Sequence, residues 1–168
     1  MSSNRESIAR TLNGTLNEII NKLSTVKGTQ PSVHDTEEQV WEVLLALGRG
    51  LMQLRFEACY EAEVIQDKLE VDGAAYAYQR DSERAYVSLF GAVVVKRAYY
   101  LNVERGGLFP LDAVLSLPER SYSDSVQERL SDLNVWVPQA QSLKLLERWL
   151  GLKVPKGSLQ SSVEEQAA

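Results

Sequence analysis

A chain of 168 residues with a net charge of −5 has room for one domain or two small ones, and it argues against a protein that binds nucleic acid over its whole surface. One cysteine, Cys59, excludes an intrachain disulfide and any zinc site built on paired cysteines, and fits a reducing compartment. The opening MSSNRESIAR holds no apolar signal core and no run approaches the ~18 apolar residues of a membrane span, so the expectation is a cytoplasmic protein with no membrane partner.

The predicted elements begin with a helix over 7–25. Ile8, Leu12, Leu16, Ile19, Leu23 and Val26 recur at three- and four-residue steps. A linker, KGTQPSVHD, follows, and its lone His34 is given no catalytic role. Thr36-Glu37-Glu38-Gln39 has the pattern of a capping box, with the acidic pair at the positive end of the helix dipole. The helix it opens is expected to run to about Leu69. Val40, Leu44, Leu47, Leu51, Leu54, Ala58 and Ile65 form a heptad-like seam, widened by Trp41, Leu45, Met52, Phe56 and Cys59. Two readings of this helix stand side by side: a homodimer through residues 36–70, or a helix packed on the first helix and the domain behind it. Thr36 to Asp72 holds nine acidic and three basic residues, so the acidity sits on one element and any DNA binds elsewhere.

Glycine and alanine at 73–75 are expected to end that helix, and 76–81 reads as irregular. Arg84 to Leu89 and Ala92 to Leu101 are rich in valine and tyrosine, with Phe90-Gly91 between them, which predicts a β-hairpin. Arg84, Lys96 and Arg97 could lie against phosphates, but on the residues alone the preferred reading is that they only solvate a half-exposed ribbon. Asn102 to Leu117 reads as a loop. A helix over 121–135 is capped by Ser123 or Ser125 and buries Val126, Leu130 and Leu133.

The closing stretch reads as helix, turn, helix. Pro138 suits a first helical turn, and Ala140, Leu143, Leu146 and Leu150 share a face with Trp149 beside them. Gly151 is the expected left-handed stop, and Leu152 and Val154 can close a small core. Pro155 opens a further helix with Leu159 and Val163 inside. Its outer side starts with Lys156, Gly157, Gln160 and Ser161, the arrangement that enters a DNA major groove, although any tight helical hairpin looks similar. The fold expected is α+β, mainly helical with one hairpin, divided as a helical region 1–72, a hairpin and loop 73–118, and a helix-turn-helix-like cluster 119–168.

SLFGAVVVKRAYY, then GLFPLDAVLSLP, then SYSDSVQERLSDLNVWVPQAQSLKLLERWLGLKVPKGSLQ resemble, in that order, the N-terminal region of ISKra-type insertion-sequence transposases. The resemblance covers about Arg84 to Gln166. It implies double-stranded DNA binding at transposon ends, followed in a full-length protein by an RNase H-like domain with a catalytic acidic triad. A cysteine pair common after the family's tyrosines corresponds here to Leu101 and Glu104, so no zinc is expected, and no other cofactor. The chain stops after the helix-turn-helix and its strands carry no carboxylate after Glu83, so the expectation is a binding portion that is not itself an enzyme.

On this reading Lys156, Gly157, Ser158, Gln160 and Ser161 lie at the groove. Lys156 and Arg148 touch phosphate, Gln160 reads adenine, and Lys153 and Arg120 add backbone charge, with Lys96 and Arg97 as further phosphate contacts. Glu164 and Glu165 would have to point away. The competing function is a protein-interaction or dimerisation module built on the acidic helix, with no DNA role.

Overall fold

Ser32, not Thr36, starts the long helix. Ser32 Oγ accepts from the Asp35 N–H at 3.1 Å and Asp35 Oδ2 accepts from the Ser32 N–H at 3.2 Å, a reciprocal capping box one turn upstream of the expected one. Thr36 is thereby drawn inside the helix, where its hydroxyl donates to the Ser32 carbonyl at 2.9 Å. The computed structural model describes residues 4–25 and 31–152.

Helices Asn4–Ser24 (α1) and Val33–Ala62 (α2) form an antiparallel hairpin joined by an Arg5–Glu61 ion pair at 3.5 Å. Gly50 lets them approach: a Cβ there would sit 2.2 Å from Leu12 Cδ2. α2 ends seven residues short of the expected Leu69. Lys68–Val71 is instead a strand (β1), paired with the start of Ala74–Ser88 (β2) across Asp72-Gly73. Both turn residues have positive φ, 50° and 71°, the backbone an Asp-Gly hairpin turn selects. The segment 76–81, expected to be irregular, lies inside β2. The expected division at 72/73 falls on this turn, with β1 and β2 pairing across it.

Gly91–Asn102 (β3) and Gly106–Leu108 (β4) complete an antiparallel sheet in the order β1-β2-β3-β4. The segment expected to be a loop after Asn102 holds β4 and a short helix, Pro110–Val114 (α3), with Pro110 in its first turn. Asn102 Oδ1 makes the reversal before β4 by accepting from the N–H groups of Glu104 and Arg105, both at 2.9 Å. Asp124–Trp136 (α4) is capped by Ser123, whose hydroxyl accepts from the Val126 N–H, and Gln139–Leu150 (α5) follows. The fold class is thus α+β as expected, with a four-stranded sheet where one hairpin was expected.

Parts of β2 and β3 that lack a strand neighbour are bonded by other elements. Gln53 on α2 bonds both the N–H and the carbonyl of Val94 at 2.9 Å, and Arg49 Nε donates to the Phe90 carbonyl. At the far end of β2, Val87 exchanges hydrogen bonds with Ser121 and Ser123. The core falls into three small clusters. Tyr76, Ala98 and Tyr100 fill one end; Phe56, Tyr86, Val93 and Val95 lie between α2 and the sheet; Tyr122, Val126, Leu130, Leu146 and Leu152 lie under α4 and α5. Among the described residues, no helix is long and apolar enough to cross a membrane.

Candidate nucleic-acid interface

α4 and α5 are built from signals that are visible locally. Val126 and Leu130 on α4 and Leu146 on α5 are buried together with Tyr122. Gly151 ends α5 at φ 63°, ψ 19°, its N–H bonded to the carbonyls of Glu147 and Leu146. Leu152 then turns back into the cluster and is only 2% exposed. The chain therefore leaves α5 by a left-handed glycine and an anchored leucine. Lys153, Lys156, Gly157, Ser158, Gln160 and Ser161 lie outside the described residues, as does the second helix expected from Pro155.

The remaining basic candidates separate into outer and inner groups. Arg148 is exposed near the end of α5 and lines a surface cleft with His34, Glu38, Trp41 and Trp149. Trp41 Nε1 donates to the Trp149 carbonyl at 2.6 Å and ties this end of α5 to the start of α2. Arg120 is bound to Asp124, one turn along, and its guanidinium lies 5.4 Å from the Tyr122 ring. Lys96 is half-buried, with Nζ 5.5 Å from the Tyr60 ring.

Arg97 is not available to a phosphate. Its position is in phase with Val93 and Val95 on β3, so it points inward and is 7% exposed. Nη1 donates to Asp112 Oδ2 at 2.5 Å and the guanidinium lies 3.8 Å above Phe109. Arg84 is also committed. Nη1 lies 3.8 Å from the same carboxylate, and Nη2 donates to the carbonyls of Pro118, Glu119 and Arg120 at 2.8, 2.6 and 2.5 Å. The two arginines and Asp112 pin α3 and the 118–120 strap to the sheet. Tyr100 is interior as well, its hydroxyl accepting from the Gln66 N–H at 3.2 Å.

One exposed cation went unread in the sequence. Lys144 stands one turn before Arg148 on the side of α5 away from Leu146, and neither has an ion-pair partner among the described residues. Their i,i+4 spacing was the available signal.

A second polar group lies where α2 meets the sheet. The carboxylate oxygens of Glu63 are screened from solvent, and burial, with Asp81 and Asp112 nearby, raises its carboxyl above the usual carboxylate range while the Ala98 N–H pulls the other way. Tyr78 donates to Asp81 Oδ1 at 3.0 Å, and burial together with Asp81 holds the Tyr60 phenol above its ordinary range. These groups can hold protons and each other. No group of three or more His, Cys, Asp or Glu side chains suited to a metal ion occurs among the described residues.

Compared with protein-family models, curated proteins and solved structures, the chain matches none.

Proposed function

We propose that this chain is the DNA-binding portion of a transposase-like protein, acting in the cytoplasm on double-stranded DNA at the ends of a mobile element. The observation that carries the reading is the α4–α5 unit. Its second helix ends on a left-handed glycine with Leu152 locked behind it, as a helix-turn-helix requires before its reading helix, and its outer side presents Lys144 and Arg148, which have no ion-pair partner among the described residues. Lys144, Arg148, Lys153 and Lys156 then contact phosphate, and Gln160 reads a base with Gly157, Ser158 and Ser161 beside it at the groove. Arg84 and Arg97 serve the scaffold instead. The reading assigns binding to this chain and strand cleavage to a separate acidic domain. It keeps the homodimer, through α2, since paired reading units suit paired half-sites.

A salt titration on a mixed-sequence duplex tests it. Affinity should fall steeply with salt, and Lys144→Ala with Arg148→Ala should reduce the slope of log K against log salt by about two, one for each lost phosphate contact. Salt-insensitive binding, or a slope unmoved by the double substitution, overturns the reading.

A second reading, an interaction module with no DNA role, draws on the aliphatic side chains left open on α1 and α2. It requires wild-type protein that self-associates yet fails to bind any duplex from a randomised pool at low salt.

A further inference from the structure

α2 is flanked on one side by α1 and on the other by the sheet, and the strip between them is apolar and open. The seam expected from sequence splits on folding. Val40, Leu47 and Leu54 are half-buried, whereas Leu44 and Leu51 remain 53% and 58% exposed. On α1, Leu16, Ile20 and Leu23 are 42%, 53% and 43% exposed. Leu16 and Ile20 are in helical phase with Ala9, which lines a groove with Leu51, Leu54 and Ala58, whereas Leu23 lines a separate groove with Gln39, Val40 and Val43. Leu44, Leu51, Leu16 and Ile20 leave on the order of 370 Å² open, within the range of a monomer's largest apolar patch and about half of what one partner buries in a standard interface. Trp41, 46% exposed, and Phe90, 39% exposed beside Gly48, extend the strip at its edge.

The strip on α2 has a spacing that is the same in both directions, with opposite charges at its two ends. Glu37, Trp41, Leu44, Gly48, Leu51 and Arg55 recur at steps of four and three, the seam of a coiled coil. A two-fold axis crossing α2 near residue 46 sets Leu44 against the Phe90 ring that covers Gly48 of a second copy, Trp41 against Leu51, and Glu37 against Arg55. Neither Glu37 nor Arg55 has an ion-pair partner among the described residues. Parallel pairing would instead set Asp35, Glu37, Glu38 and Glu42 against themselves, with no basic residue before Arg49 to offset them. An isologous contact requires a self-complementary surface, and this strip is one.

We infer that this face binds a second copy of the chain, with the two α2 helices antiparallel about residue 46, Glu37 paired to Arg55 at both ends, and α1 from each copy flanking the pair. The inference rests on the homodimer part of the reading above and gives it a face and a direction. It also places the α4–α5 units two-fold related, since Trp149 is tied to Trp41 at the rim of the strip.

Sedimentation velocity over a concentration series tests it. The wild type should be dimeric. Leu44→Glu with Leu51→Glu should give monomers with the circular dichroism of the wild type and a melting temperature that no longer depends on protein concentration, because both side chains are already exposed in the monomer. Glu37→Arg alone and Arg55→Glu alone should each weaken the dimer about tenfold, by placing like charges at both ends. The double reversal should restore it. A monomeric wild type, a dimer indifferent to the two leucine changes, or a double reversal no tighter than the single ones overturns the inference. DNA affinity separates the two claims. Monomeric Leu44→Glu/Leu51→Glu protein should keep the salt-dependent binding of a single unit, whereas an intact dimer that never binds a duplex sinks only the DNA reading.

Discussion

Asp112→Ala is the change whose cost can be worked most directly from the coordinates. Its carboxylate lies 2.5 Å from Arg97 Nη1 and 3.8 Å from Arg84 Nη1, and the arginine side chains are 8% and 16% exposed. Arg84 keeps three carbonyl partners when the carboxylate is removed. Arg97 keeps only the face of Phe109, and its Nε already lacks a partner. Stranding one member of a buried pair costs about 3–5 kcal/mol, and the partial exposure of Asp112 lowers this to about 2–4 kcal/mol here. That is a large share of the 5–15 kcal/mol that holds a typical domain together, and it corresponds to a fall in Tm of roughly 5–12 °C. Urea unfolding should show a lower midpoint with an unchanged m-value. The double variant Arg97→Met, Asp112→Leu should be less destabilised than Asp112→Ala, since it leaves no stranded charge. A loss below about 1 kcal/mol for Asp112→Ala would refute the argument, because Arg97 would then have found water or another partner.

Leu152→Ala should cost about 2–4 kcal/mol in the same assay, since the side chain is 2% exposed among Tyr122, Val126, Leu130 and Leu146. Gly73→Ala should cost about 1 kcal/mol through backbone strain at φ 71° alone, because an added Cβ would meet no atom within 4 Å; a neutral result would contradict the turn geometry. Glu63→Gln should stabilise the protein near pH 7.5 and do nothing near pH 4. The sign follows from a folded-state pKa raised above the unfolded one: the folded form holds its proton longer, so stability is lost as pH rises through the raised value. Equal urea midpoints for the two proteins at the higher pH would count against a buried Glu63 carboxylate.

What could be read in advance was local, and what could not be read was contested or distant. Ser123, Gly151 and the stripe of Val126 and Leu130 depend on neighbours within a few residues, and each sits where its pattern placed it. The start of α2 was contested, because Ser32-x-x-Asp35 and Thr36-x-x-Gln39 are both capping patterns four residues apart. The upstream one forms, and it adds a turn of helix. The end of α2 was masked by Ile65 and Leu69, which fit a helical seam until Asp72-Gly73 is recognised as a hairpin turn that claims 68–71 for the sheet. Arg97 shows the distant case. Its phase with Val93 and Val95 pointed inward, but the group that makes an inward arginine tolerable, Asp112, is fifteen residues along on another element.

That contrast bears on where DNA can be met. Arg84, Arg97, Asp112 and Tyr100 are largely withdrawn from solvent and bind one another, backbone carbonyls or the Gln66 N–H before β1. Such residues hold a shape and offer nothing to a phosphate. The cations left open on the described part of the α4–α5 unit include Lys144 and Arg148 on one side of α5. The acidic first half of α2, the element most hostile to a duplex, is joined to that same helix through Trp41 and Trp149. A duplex approaching α5 would therefore feel Glu37, Glu38 and Glu42 unless that face were turned away or neutralised. The antiparallel pairing of α2 does both for Glu37, which it places against Arg55 of the other copy. Dimerisation and DNA binding would then be coupled through charge, and breaking the dimer with Glu37→Arg should weaken DNA binding less than breaking it with Arg55→Glu, because only the second change leaves the acidic end uncompensated and adds to it.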